Sequence, residues 1–274
     1  MDELFGAERW AAPMGLAGYR WPAENARGRV LLTHGYAEHA GRYVGHYSGL
    51  IPALTARGLE IRAFDLEGHG RSDGDRGVAD IGRMAEANRA ARDALADKPL
   101  FLFGHSLGGL VTALSVVRAP DQLAGVVLSG PYLPFGTSGL TRAVAKLVAT
   151  IAPRRGVAAL GPPSGISRID AEVQAYVDDP LVFRRKIPAR LGATALAAGA
   201  EIERALGRWT APTLAIHGSA DTYTSPKGSQ QLIAGIAAAD KELVMVDGGR
   251  HELLNDLGRE AMLARMLEWL DARV

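Results

Sequence analysis

The chain has 274 residues, 47% of them hydrophobic and 22% charged, with 31 Lys and Arg against 30 Asp and Glu. That length fits one large α/β domain or two small ones, and the balanced charge gives no ground for a nucleic-acid partner. Cysteine is absent, which excludes disulfides, thiolate metal sites and a cysteine nucleophile.

The start, "MDELFGAERW", lacks a basic segment followed by an apolar core, so no signal peptide is expected. No apolar run reaches the roughly 18–20 residues needed to span a bilayer. A soluble, cytoplasmic protein is the expectation, with peripheral membrane contact left open.

In chain order, segments near 7–13 and 16–21 predict an added antiparallel edge. "RVLLTHG" (29–35) and "LEIRAFDLEGHG" (59–70) each open as a strand and close on glycine and histidine. Between them, residues 39–58 read as one helix carrying Tyr43, Tyr47, Leu50 and Leu54, with Gly58 at its end. Residues 79–97 predict a polar, alanine-rich helix. Leu100-Phe101-Leu102-Phe103 is a continuous apolar run, as expected of a strand buried on both faces of a parallel sheet. A helical pattern follows and stops before Pro120. Further buried strands are predicted at 123–131, 211–218 and 242–249, and helices at 225–238 and 259–274.

Strands alternating with helices predict a doubly wound α/β sheet. The alternation breaks from 132 to 209, where no strand is convincing and two Pro/Gly-rich breaks interrupt helical patterns. This insertion after a core strand reads as a helical lid (132–209) on a core formed by 1–131 and 210–274. In the lid, Leu140, Val144, Leu147, Val148 and Ile151 share one helix face, opposite Arg142 and Lys146. That face either packs on the core or touches lipid.

"FLFGHSLGGL" (101–110) holds Gly104-His105-Ser106-Leu107-Gly108, the G-x-S-x-G pattern, between a predicted strand and a predicted helix. Side chains two before and two after Ser106 would collide with so tight a turn. A serine hydroxyl needs a base within reach, itself oriented by a third group. After Ser106 the only histidines are His217 and His251. The order serine, acid, histidine selects Asp221 and His251, and leaves His217 as structural. Two backbone N–H groups must receive the oxyanion. Leu107 supplies one, and Tyr36, after His34-Gly35, the other.

The segments "HGYAEHAGRY", "DLEGHGRSDG", "GHSLGG", "HGSADTYTSP" and "GGRHELLND" together resemble the monoglyceride lipase branch of the α/β-hydrolases, which includes serine aminopeptidase and lysophospholipase-like relatives. The resemblance runs from about residue 29 over nearly the whole chain. It implies an α/β-hydrolase fold, a mostly parallel central sheet flanked by helices with an inserted cap. It also implies no metal or cofactor, and hydrolysis of monoacylglycerols. By the same resemblance Ser106, Asp221 and His251 match a triad, and Tyr36 and Leu107 the oxyanion hole. Glu38, Arg42 and Tyr176 match residues that hold the glycerol head.

Two positions depart from the pattern: Leu107 stands where methionine is frequent, and Leu254 where mammalian lipases carry a second histidine. Other readings stay open. Glu38 and Arg42, four apart, also fit a surface ion pair, and Asp65 and His69 fit a loop-shaping role. The histidines between 34 and 46 lack helical metal-ligand spacing. A short-chain carboxylesterase or lysophospholipase uses the same machinery, and a hydrolase-fold binding protein is the non-enzymatic alternative.

Overall fold

A computed structural model of the chain describes residues 5–120 and 123–274. Its main sheet has eight strands: β1 (Glu8–Ala11), β2 (Ala17–Trp21), β3 (Gly28–Thr33), β4 (Leu59–Phe64), β5 (Leu100–His105), β6 (Gly125–Ser129), β9 (Thr213–Gly218) and β10 (Lys241–Val246). They lie in the order β1-β2-β4-β3-β5-β6-β9-β10. β1 and β2 form the antiparallel edge read from the first residues, and the pairings from β4 to β10 are parallel.

The central strands read as unbroken apolar runs because each face has its own core. Leu100 and Leu102 belong to the cluster around α3 (Ile81–Asp93) and α4 (Leu107–Arg118), while Phe101 and Phe103 belong to the opposite one. That second cluster takes in α1 (Arg42–Gly45), α2 (Leu50–Thr55) and α9 (Arg259–Asp271), with Tyr43, Leu50 and Trp269 buried in it. α8 (Pro226–Gly235) connects β9 to β10. Alternate side chains of one strand thus leave water on opposite sides.

The single helix expected over 39–58 is not formed. Between α1 and α2 the chain turns at Tyr47, Ser48 and Gly49, with φ of 53°, 55° and 62°. The break is fastened from outside: Tyr47 N–H donates to the Asn255 side chain, and Ser48 Oγ donates to the Leu254 carbonyl at 2.8 Å. Helical spacing was present, but tertiary hydrogen bonds to the segment after His251 outweigh it.

Between β6 and β9 no strand joins the main sheet. This stretch holds α5 (Gly139–Ile151), α6 (Asp170–Asp178) and α7 (Ala189–Ala205). It also holds a two-stranded antiparallel pair that the sequence did not announce, β7 (Gly156–Ala158) with β8 (Ile187–Pro188). Strands of three and two residues are too short to show a periodicity. α7 is part of the core, with Leu191, Ala195, Ala198 and Ile202 buried in the first cluster. α5 is the opposite: it has no buried residue, and Leu140, Val144, Leu147 and Ile151 are 76%, 53%, 60% and 75% exposed. Packing of that apolar face on the core is therefore ruled out in this arrangement. No helix among the described residues is long and apolar enough to cross a membrane.

Candidate active site

β5 ends at His105 and α4 begins at Leu107, so Ser106 alone makes the turn, with φ 52° and ψ −116°. Such a conformation costs a non-glycine residue about 1–3 kcal/mol. The surroundings hold it: Ser106 N–H donates to Ser129 O at 3.0 Å, while Ser106 O accepts from the N–H groups of Gly109 (3.0 Å) and Tyr132 (2.9 Å). The two glycines are required by close approach. A Cβ at Gly104 would lie 2.7 Å from Gly108 O, and one at Gly108 would lie 2.1 Å from Thr33 O.

Asp221 follows β9 and His251 follows β10, which places both at the sheet edge where Ser106 emerges. His251 Nδ1 donates to Asp221 Oδ2 at 2.8 Å. Asp221 Oδ1 accepts from the N–H groups of Tyr223 (2.8 Å) and Thr224 (3.0 Å), and Oδ2 also accepts from the Thr224 hydroxyl (2.7 Å). Burial would raise the Asp221 pKa, but His251, His217 and the Thr224 N–H outweigh it and hold the carboxyl well below its ordinary range. An ionised carboxylate only accepts, so Nδ1 donates to it and Nε2 is the ring nitrogen turned away from Asp221.

His217, set aside as structural, also reaches the acid. Its Nε2 lies 3.2 Å from Asp221 Oδ2, and its Nδ1 lies 2.7 Å from Ser229 Oγ. A histidine four residues before an aspartate carries no sequence signal for this contact, because the chain must leave β9 and double back to make it. Among the described residues the Ser106 hydroxyl has no hydrogen-bond partner, and it lines one small cavity with His251. His105 packs 4.8 Å from the His251 ring, centroid to centroid, and burial pushes its pKa down to about 4. It is therefore uncharged at neutral pH.

Leu107 is the first residue of α4, so its N–H has no acceptor within the helix. The Tyr36 N–H likewise donates to no described residue. The turn carrying Tyr36 is tied down one residue earlier, where Gly35 N–H donates to Glu38 Oε1 at 2.6 Å. Asp65 fastens the neighbouring turn, accepting from Ala40 N–H (2.9 Å), Arg71 N–H (2.9 Å) and the Tyr19 hydroxyl (2.7 Å).

Glu38 and Arg42 are 2% and 3% exposed, which corrects the surface ion-pair reading. Arg42 donates to Glu38 Oε2 at 2.6 Å and clasps both oxygens of Glu252, at 2.9 and 3.0 Å. The hydroxyls of Tyr43 (2.8 Å) and Tyr47 (3.0 Å) complete four donors to the Glu38 carboxylate, which fills its acceptor sites. The Arg42 guanidinium lies 4.9 Å from the ring centroid of Tyr176. Glu252 was missed from sequence although it adjoins His251. Its partner is 210 residues away in the chain, and no local pattern reports such a pairing. One guanidinium between two carboxylates leaves a net negative charge in the wall beside His251.

Burial would raise the Glu38 pKa, yet Arg42 and the Gly35 N–H outweigh that and hold it down to about 2, against an ordinary 4.5. A depressed pKa means that ionised Glu38 stabilises the fold above its ordinary value, and that this contribution is lost as pH falls from about 4.5 towards about 2. Melting followed by circular dichroism should show the midpoint dropping through that window, and Glu38→Gln should flatten the drop. An equally steep drop in Glu38→Gln would contradict this assignment.

Ser106, Tyr36, Leu107, Tyr132 and Leu191 line a cavity of about 230 Å³. Beside it a polar recess of about 30 Å³ is walled by Glu38, Tyr176, His251 and Glu252. A larger groove of about 620 Å³ between α5 and α7 contains none of these residues. Among the described residues no group of three His, Asp or Glu side chains is arranged to hold a metal ion.

A serine on a strained strand-to-helix turn, at the carboxyl edge of a mostly parallel sheet that also carries an ion-paired histidine, defines a serine ester hydrolase of the α/β-hydrolase class. Residues 24–258 match the Hydrolase_4 family, described as serine aminopeptidase, S33, and the chain belongs to that family. It is 34% identical over 256 residues to the monoacylglycerol lipase of Mycolicibacterium smegmatis, covering 91% of this chain and 90% of that one. To the human monoglyceride lipase it is 32% identical over 254 residues, covering 87% and 80%. The crystal structure of Paleococcus ferrophilus monoacylglycerol lipase superimposes with a TM-score of 0.83 at 33% identity, over 95% of this chain and all (100%) of that one.

Proposed function

We propose that this protein hydrolyses monoacylglycerols to fatty acid and glycerol through an acyl-enzyme on Ser106. Ser106 Oγ attacks the ester carbonyl while His251 Nε2 takes its proton, and Asp221 stabilises the imidazolium. The carbonyl oxygen, now an anion, accepts from the N–H groups of Tyr36 and Leu107, the latter at the positive end of α4. Collapse returns the proton from His251 to the glycerol oxygen. Water, deprotonated by His251, then attacks the acyl-enzyme; the bond to Ser106 Oγ breaks as His251 returns the proton to that oxygen, and the fatty acid leaves. The observation that carries this reading is the His251–Asp221 pair beside Ser106, with a polar recess on one side and an apolar cavity on the other.

The glycerol hydroxyls enter that recess, with Tyr176 as their first partner and the Glu38–Arg42 pair as its polar wall. The net negative charge of Glu38, Arg42 and Glu252 disfavours the phosphate of a lysophospholipid, so a neutral alcohol is preferred there. The Tyr176 hydroxyl has no hydrogen-bond partner among the described residues. Tyr176→Phe deletes that hydroxyl alone. Losing one hydrogen bond of about 0.5–1.5 kcal/mol should lower kcat/KM for monoacylglycerol by roughly threefold to tenfold. The loss should be much smaller for a nitrophenyl ester of the same acyl chain, which has no hydroxyl to offer. Equal losses on both would shift the assignment to a general carboxylesterase.

Residues 132–209 serve as a lid over this edge, and the exposed apolar face of α5, with Arg142 and Lys146 on the opposite face of the helix, meets lipid. The double substitution Leu147→Asp and Ile151→Asp should sharply reduce cosedimentation with vesicles of phosphatidylcholine and phosphatidylglycerol. Hydrolysis of a short soluble ester checks that the variant is folded. Undiminished cosedimentation would contradict this role for α5.

A further inference from the structure

The catalytic cavity adjoins a second, larger space. Tyr132, Ile187 and Gly192 line both the cavity at Ser106 and a groove of about 590 Å³ that runs beneath α5. The groove is apolar, walled by Leu140, Val144, Val148, Val157 and Leu196. The three shared residues therefore stand between the cavity at Ser106 and the groove beneath α5.

Gly192 is the one of the three with no side chain, and its own helix does not ask for a glycine. It sits inside α7, where glycine costs about 0.5–1 kcal/mol relative to alanine. A Cβ there would have one neighbour within 4 Å, Val157 Cγ2 at 3.7 Å, an ordinary contact across the groove. Gly199 in the same helix is different, because a Cβ there would lie 2.7 Å from Pro134 Cγ and 2.9 Å from Pro134 O. Packing accounts for Gly199 and leaves Gly192 unexplained. Open space between the cavity and the groove accounts for it.

We propose that Tyr132, Ile187 and Gly192 form a gate that sets the length of acyl chain accepted, and that the absent side chain at Gly192 holds it open for long-chain esters. This rests on acylation of Ser106 as proposed above. A short acyl group ends within the inner cavity and does not meet the gate. A long one passes between Tyr132 and Gly192 into the groove, and each methylene beyond the gate leaves water against α5 and β7. A side chain at 192 grows towards Val157, across that path.

The test is the ratio of kcat/KM for nitrophenyl palmitate to that for nitrophenyl butyrate. Gly192→Leu should lower this ratio by about tenfold or more, the range in which an apolar pocket senses added bulk. Leucine also favours a helix over glycine, so α7 should persist. Ile187→Trp narrows the gate from the opposite wall and should act the same way, which covers the case in which residue 192 tolerates no change. A wild-type ratio in both folded variants would overturn the gate. These esters carry no glycerol. A wild type that cleaves them but releases no glycerol from monoacylglycerol would sink the glycerol reading alone, whereas cleavage of neither would overturn both.

Discussion

Ser106→Ala is expected to lower kcat for ester hydrolysis by about a million-fold, because members of a catalytic triad act as a unit and removal of the nucleophile leaves little behind. The residual rate would come from the N–H groups of Tyr36 and Leu107 acting on a bound ester. The loss should occur without unfolding, because alanine removes no hydrogen bond that the Ser106 hydroxyl makes among the described residues. A fluorophosphonate should label the wild type at Ser106, located by peptide mass spectrometry, and leave the variant unlabelled. Labelling at Ser129 or Ser219 would contradict the assignment.

Asp221→Asn is expected to cost about 10⁴-fold in kcat while leaving the fold in place. The carboxylate is surrounded by donors: the N–H groups of Tyr223 and Thr224, the Thr224 hydroxyl, His251 Nδ1 and, at 3.2 Å, His217 Nε2. With the amide oxygen taken by the two backbone N–H groups, the NH₂ faces His251. It would donate to Nδ1 and move the ring proton to Nε2, where the base is needed. His217→Ala removes the 3.2 Å contact to Asp221 and the 2.7 Å contact to Ser229 Oγ, but leaves the other donors to the carboxylate, so its cost in kcat should stay within about tenfold. Steady-state rates of the two variants, measured under the same conditions, separate the two. A larger loss from His217→Ala would mean that the acid works through His217.

The strands and the nucleophile turn were legible because each is local, and Asp221 and His251 because each directly follows a strand read from its own residues. Leu100–Phe103 has to be apolar on both faces, and Gly104 and Gly108 have to lack side chains for contacts made within a few residues of Ser106. What stayed hidden depends on pairs distant in the chain. Tyr47 and Ser48 break a helix that their spacing supports, because Asn255 and Leu254 offer better hydrogen bonds. Glu252 carries no local signal, and its role shows only once Arg42 is placed against it. The Glu38–Arg42 spacing of four fits a surface pair and a buried one equally well, and only burial separates them. β7 and β8 are too short to carry a pattern, and the exposed face of α5 is indistinguishable in sequence from one that packs.

Glycerol and fatty acid released from a monoacylglycerol by the wild-type protein, followed over many turnovers, test the central claim most directly. The account predicts equimolar glycerol and fatty acid, far beyond one equivalent per protein, with both lost in Ser106→Ala. Release that stops at one equivalent, or glycerol release that persists in Ser106→Ala, would contradict it.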